Sequence, residues 1–185
     1  MVIYILLGAI ALIIIYFIML YNRLIRLRNN RENAFADIDV QLKQRHDLIP
    51  QLVEVVRGYA THEKETLQNV INARNQALSA TSIDDKIAAE DKLSGALNGL
   101  KLVFEAYPDL KANQNFLQLQ EEIADVENKL SSVRRYFNMA TREYNNAVQV
   151  FPSSIVAGMS GFRPERMFNV DADRAAMEQA PTIKF

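Results

Sequence analysis

The chain has no cysteine and no tryptophan, and only two histidines and six glycines among 185 residues. Without cysteine there are no disulfides, no thiolate nucleophile and no Cys-ligated metal. The glycines do not cluster, and there is no G-x-x-x-x-G-K-[ST] loop, no G-x-S-x-G elbow and no glycine-rich dinucleotide turn. Phosphate cradles therefore have no backbone to form on. The segment His62-Glu63-Lys64-Glu65-Thr66 places Thr66 where a zinc protease motif requires a second histidine. Neither His46 nor His62 follows a glutamate by three residues, as di-metal helical bundles require, so Asp37, Glu121 and Glu122 read as solvated helix faces. No catalytic residue, cofactor or metal ligand is expected. A net charge of -1 gives no support for nucleic-acid binding.

Charge is also missing from one end. Residues 1–22 carry none, while 21 Lys/Arg and 22 Asp/Glu fill the remainder. Val2–Leu20 is free of charge, Pro, Asn and Gln. As a helix its 19 residues span ~28 Å, close to the hydrocarbon thickness of a bilayer. A cleaved signal peptide would need a basic start, a shorter apolar stretch and a small-x-small site after it, whereas only Met1 precedes this run and Tyr21, Asn22 and Arg23 follow it. The run therefore reads as a membrane anchor, with the bilayer as partner of residues 2–20. Arg23, Arg26, Arg28 and Arg31 follow at once, so the positive-inside tendency predicts an outside N-terminus and a cytoplasmic remainder in a single-pass cell-membrane protein.

Strand alternation is absent beyond the anchor, where apolar residues recur at three and four. Phe116, Ile123, Leu130, Phe137, Tyr144 and Phe151 are seven apart, with Leu119, Val126, Val133, Ala140 and Ala147 as companions. This coiled-coil-like seam predicts a helix more than ~50 Å long, stopped by Pro152. A second helix is expected from Ser82, its N-cap, to Tyr107, with Pro108-Asp109 as a turn. Gly95 and Gly99 within it imply a close helix crossing. Leu48–Leu78 and residues 23–45 supply two more helices, with a kink or break just before Pro50. Nothing between Leu20 and Arg45 interrupts the helix that leaves the membrane. The expected fold is all-α: one N-terminal transmembrane helix continuing into an antiparallel up-and-down four-helix bundle of long helices. The expected division is an anchor (1–22), a helical domain (23–152) and a mostly irregular tail (153–185) whose Phe162 and Phe168 dock on the bundle.

Candidate structural or interaction residues follow from the same reading. Asp39, Arg45 and Asp47, just ahead of Pro50, are placed to form buried ion pairs at a helix–helix turn. Arg134 and Arg135 suit surface or interhelical pairing, and Tyr144 belongs to the long seam. Arg28 lies in the juxtamembrane basic stretch. Asparagines beside aromatic residues, as in Tyr144-Asn145-Asn146, suit hydrogen bonds across helices.

Several motifs together resemble the LemA family: Arg28-Asn29, Ile38-Asp39-Val40-Gln41-Leu42-Lys43 with Arg45, Asp47-Leu48-Ile49-Pro50, Tyr59-Ala60-x-His62-Glu63, Ala73-Arg74-Asn75, Tyr107-Pro108-Asp109-Leu110-Lys111-Ala112-Asn113, Glu127-Asn128, Arg134-Arg135-Tyr136-Phe137-Asn138, Tyr144-Asn145, Phe151-Pro152 and Gly161-Phe162. The resemblance implies a short external N-terminus, one transmembrane helix, a cytoplasmic antiparallel four-helix domain and no enzyme activity. Phe137 stands where the family often has Tyr, and Met167-Phe168 replaces a commoner aromatic pair. The expected function is a membrane-anchored scaffold or adaptor for a membrane or envelope-associated protein, with self-assembly into a homo-oligomer as one form of it. The alternative is a membrane signalling or lipid-organising component acting through the juxtamembrane helix.

Overall fold

The computed structural model describes residues 1–168. Helix α1 runs without interruption over Val2–Tyr59, 58 residues or ~87 Å. It carries the apolar run, passes Arg23–Arg31 and continues through Pro50. The chain reverses at residues 60–63 into α2 (Lys64–Ser79), then α3 (Ile83–Ala106), the single turn α4 (Pro108–Lys111), the 36-residue α5 (Gln114–Gln149) and α6 (Ser153–Ser160). Helix α5 lies along α1, α3 lies along α2, and α6 touches both α1 and α5.

Six helices, and not the expected four, therefore form the contact network among the described residues. Proline chemistry explains both additions. Its fixed φ and missing N–H suit the first turn of a helix, so Pro108 starts α4, whose Leu110 is fully buried, and Pro152 caps α6. Helix α6 opens the segment expected to be irregular. It ends at Gly161 (φ 76°), a left-handed position natural to glycine, where the amide of Phe162 donates to the Ala157 carbonyl at 3.0 Å.

Pro50 breaks nothing. Lacking an N–H, it cannot satisfy the carbonyl of His46 one turn earlier, and the Arg74 guanidinium of α2 fills that role with Nε donating to His46 O at 2.7 Å. The reversal falls instead after Tyr59, in Ala60-Thr61-His62-Glu63. Ser82 caps α3 as expected, accepting from the Asp85 amide at 3.0 Å. Asn113 caps α5 through the Phe116 amide at 3.0 Å, and its Nδ2 donates to the Tyr59 hydroxyl at 2.8 Å. The close crossing inferred from Gly95 and Gly99 is absent, because a Cβ at either would meet nothing within 4 Å.

Three apolar clusters stack along α1. The farthest from the anchor joins Ile49–Ala60 to α2, α3, Leu110 and Phe116. The middle one joins Ala34, Phe35, Ile38 and Leu42 to Ile87, Leu130, Phe137 and Phe168. The nearest joins Leu20 and Leu24 to Tyr144, Ala147, Val148, Val156 and Ala157. The α5 seam is buried or half-buried from Phe116 to Ala147, and Phe151 beyond it is 76% exposed.

Candidate functional site: a charged clamp between two clefts

Helix α3 meets α1 through long polar side chains in the middle of the domain. Arg45 and His46 are consecutive on α1 and buried, and both reach Glu90 of α3, whose side chain is 1% exposed. Arg45 Nη1 donates to Glu90 Oε2 at 2.8 Å and Nη2 to Ser94 Oγ at 3.1 Å. Its Nε stands 2.8 Å from Glu127 Oε1 on α5, an ion-pair contact off the N–H axis that adds charge attraction without a well-aligned hydrogen bond. His46 Nε2 lies 2.6 Å from Glu90 Oε1. An ionised carboxylate only accepts, so the imidazole donates there. Burial by itself would push the Glu90 carboxyl up, but the His46 hydrogen bond and the Arg45 charge outweigh it and hold it below its ordinary value.

The clamp joins α1, α3 and α5 and separates two clefts. One, of about 380 Å³, is bounded by Asp39, Val40, Lys43, Leu78 and Lys86, with His46 and Glu90 at its back. The other, of about 730 Å³, lies between α3 and α5, with Leu97, Asn98 and Lys101 facing Gln120, Ile123 and Asn128, and Arg45, Glu127 and Arg134 also on its walls. Both Glu90 oxygens are held by α1 donors, which leaves the carboxylate poorly placed as a general base. Among the described residues no group of three or more His, Asp or Glu could hold a metal ion. The arrangement locks helices together and shapes grooves.

The other candidate residues separate into distinct roles. Asp39 accepts Lys86 Nζ of α3 at 2.7 and 2.8 Å, a second α1–α3 tie beside the first cleft. Asp47, expected in a buried pair, is exposed and pairs with Lys43 of its own helix at 2.8 Å, which lowers its carboxyl. Arg28 pairs with Glu32 at 3.1 Å on the exposed face of α1, and that hydrogen bond raises its guanidinium. Arg134 stacks over the Phe168 ring at 4.9 Å, and Arg135 donates to Ser131 Oγ at 3.1 Å. Tyr144 is 1% exposed among Leu20, Leu24 and α6. Burial, with Glu165 nearby, pushes its hydroxyl up.

Sequence reasoning missed Glu90, although it sits three residues after Ile87 and three before Leu93, on the apolar face of its helix. Arg31 was grouped with the membrane-flanking arginines and is in fact 3% exposed. It lies over the Phe137 ring at 5.0 Å, 3.4 Å from Glu165 and 3.6 Å from Asp84, and donates to the Arg166 carbonyl at 3.3 Å. Two asparagines of α5, seven residues apart, hold the tail as a strand would. Asn138 exchanges two hydrogen bonds with the Phe168 backbone (2.9 and 3.1 Å), and Asn145 two with Glu165 (2.8 and 2.9 Å). Phe168 stacks on Phe35 at 6.3 Å and meets Phe137 edge-on at 5.7 Å. Both expected aromatic anchors thus dock, since Phe162 packs on the cluster nearest the anchor.

An apolar N-terminal helix, 0% buried over its most hydrophobic window, running into a helical bundle defines a membrane-anchored all-α protein without a catalytic metal or cysteine motif among its described residues. The chain belongs to the LemA family, which matches residues 34–185. It is 29% identical over 167 residues to Protein LemA of Metamycoplasma hominis, covering 84% of this chain and 74% of that protein. It is also similar to Magnetosome protein MamQ of Magnetospirillum gryphiswaldense, 19% identical over 178 residues, covering 82% of this chain and 65% of the relative. Magnetosome protein MamQ 2 of Paramagnetospirillum magneticum is 19% identical over 177 residues with the same coverage.

Proposed function

We propose that this protein is a non-enzymatic scaffold or adaptor that holds a rigid helical surface at the membrane for a protein partner. The observation that carries the reading is α1, a single helix that is both anchor and spine of the bundle. Such a helix fixes the attitude of the domain to the bilayer, whereas a flexible linker would only concentrate it there. The α3–α5 cleft supplies the surface. Its mixed lining of Leu97 and Ile123 with Asn98, Gln120 and Asn128 suits an amphipathic helix laid in a groove. Exposed Arg23 and Arg26 favour a cytoplasmic bundle. In this reading residues 1–22 anchor, 23–152 form the helical domain, and the tail braces α5 against α1.

Photoreactive groups at Asn98 and Ala124, crosslinked in native membranes and read by mass spectrometry, test the proposal. One recurrent partner, lost when Asn98→Glu and Ala124→Glu change the groove, is expected. Recovery of only random membrane neighbours contradicts it. Digestion of the bundle by protease added to sealed cells would overturn the orientation.

A further inference from the structure

The bundle carries an apolar corner at the same level as the end of the anchor. Residues 144–162 contain no charged side chain, and Glu143 and Arg163 bracket them. The buried members of the stretch, Tyr144, Ala147, Val148, Val156 and Ala157, pack on Leu20 and Leu24. Four of its large apolar residues face outward: Val150 is 58% exposed, Phe151 76%, Ile155 47% and Met159 79%. Four large exposed apolar side chains within ten residues, three of them spaced by four, make a local apolar concentration of a kind that soluble surfaces avoid.

Its height is fixed by the helix register. Helix α5 runs back along α1, with the Phe137 and Phe35 rings 5.5 Å apart and Tyr144 clustered with Leu24. Equal rise in two antiparallel helices brings Gln149, the last residue of α5, level with the turn of α1 around Tyr21, and Val150 and Phe151 follow directly after it. Past α6, Phe162 meets the Tyr21 ring edge-on at 5.8 Å, which ties the far end of the corner to the same turn of α1. Leu20 closes the apolar run that spans the bilayer, yet protein buries it to 8% exposure. The corner therefore reaches the boundary where hydrocarbon gives way to headgroups. Exposed Arg23, Arg26 and Arg163 flank it, as basic residues flank an interfacial helix and meet lipid phosphates.

We propose that the α5–α6 corner is a second membrane contact, with Val150, Phe151, Ile155 and Met159 inserted into the interfacial layer beside the anchor. The inference rests on the membrane-anchor reading. It goes beyond that reading by seating the bundle directly on the bilayer.

Because the chain has no cysteine, single Phe151→Cys, Met159→Cys, Leu102→Cys and Ile10→Cys variants of the full protein each carry one nitrobenzoxadiazole label. Leu102 is 70% exposed on α3, away from the corner, and Ile10 reports the anchor. The proteins are reconstituted in phosphatidylcholine–phosphatidylglycerol vesicles with either doxyl-lipid or aqueous iodide as quencher. Labels at 151 and 159 are expected to be quenched by doxyl lipid and sheltered from iodide roughly tenfold relative to 102, as for side chains seated below the headgroups. Iodide quenching equal to that at 102, with Ile10 still lipid-quenched, overturns the inference alone. Shelter from both quenchers overturns it in favour of a protein cover. Loss of lipid quenching at Ile10 overturns the anchor and the inference together.

Discussion

Removing Arg74 should matter mainly because Pro50 is there. The proline leaves the His46 carbonyl without its intrahelical donor, and Arg74 supplies the replacement from α2 at 2.7 Å. A hydrogen bond from a charged donor contributes about 1.5–3 kcal/mol, so Arg74→Ala should destabilise the bundle by about 2 kcal/mol. Pro50→Ala restores the backbone N–H and removes a residue that costs a helix interior ~3 kcal/mol in isolation. Much of that cost is already relieved by Arg74, so the net gain should be nearer ~1 kcal/mol. With Ala at 50, the His46 carbonyl has its own helical partner, and Arg74→Ala should then cost under ~1 kcal/mol. The expected coupling is about 1–2 kcal/mol. Urea unfolding of the four full-length proteins in detergent, followed by circular dichroism at 222 nm, measures it through the midpoints. Additivity within ~0.5 kcal/mol would refute the reasoning, for the two residues would then act independently.

The Glu90 clamp makes stability depend on pH with a definite sign. Its carboxyl lies below the ordinary value of 4.5 in the fold, so its contribution is complete above that pH and is lost as pH falls through the lower folded value. Glu90→Ala should cost about 2–3 kcal/mol near neutrality, because buried Arg45 keeps only the poorly aligned Glu127 contact and Ser94, and Glu90→Gln should flatten the stability–pH slope below 4.5, both read from denaturation midpoints. Gly95→Ala and Gly99→Ala should each stabilise by up to ~1 kcal/mol, because open space awaits the new methyl, while Gly161→Ala should destabilise by ~1 kcal/mol at its positive φ. Thermal melts separate the three. Asn138→Ala should leave two backbone groups of Phe168 unpaired and speed limited proteolysis within 161–168, with α1–α5 remaining resistant.

The sequence made long-period features legible. The anchor was visible as a charge-free run, the α5 seam as a heptad series, and the Ser82 cap as a residue type at a helix start. Their signals repeat or stand alone, so each can be read without knowing its partner. Features that depend on a distant residue were misread. Pro50 argued for a kink or a break, and no break follows, because the His46 carbonyl is served by Arg74, 28 residues later. Arg31 looked like one more membrane-flanking charge because its acceptors, Asp84 and Glu165, are remote in sequence. Glu90 was an acidic residue on an apolar stripe, and that mismatch was the available clue. Of the three residues expected to pair at a turn, Arg45 is buried, Asp39 bridges α1 to α3, and Asp47 meets only its own helix. Pro108 was read as a turn and Pro152 as a stop; α5 does end before Pro152, but Pro108 opens α4 and Pro152 caps α6.

The central claim is that anchor and bundle share one rigid helix. Spin labels on Ile10→Cys/Val40→Cys, both exposed on α1 and 30 residues apart, measure this in lipid nanodiscs by double electron–electron resonance. An unbroken helix predicts one narrow distance distribution centred near ~45 Å. A broad or shortened distribution would place a hinge between membrane and domain and contradict the account.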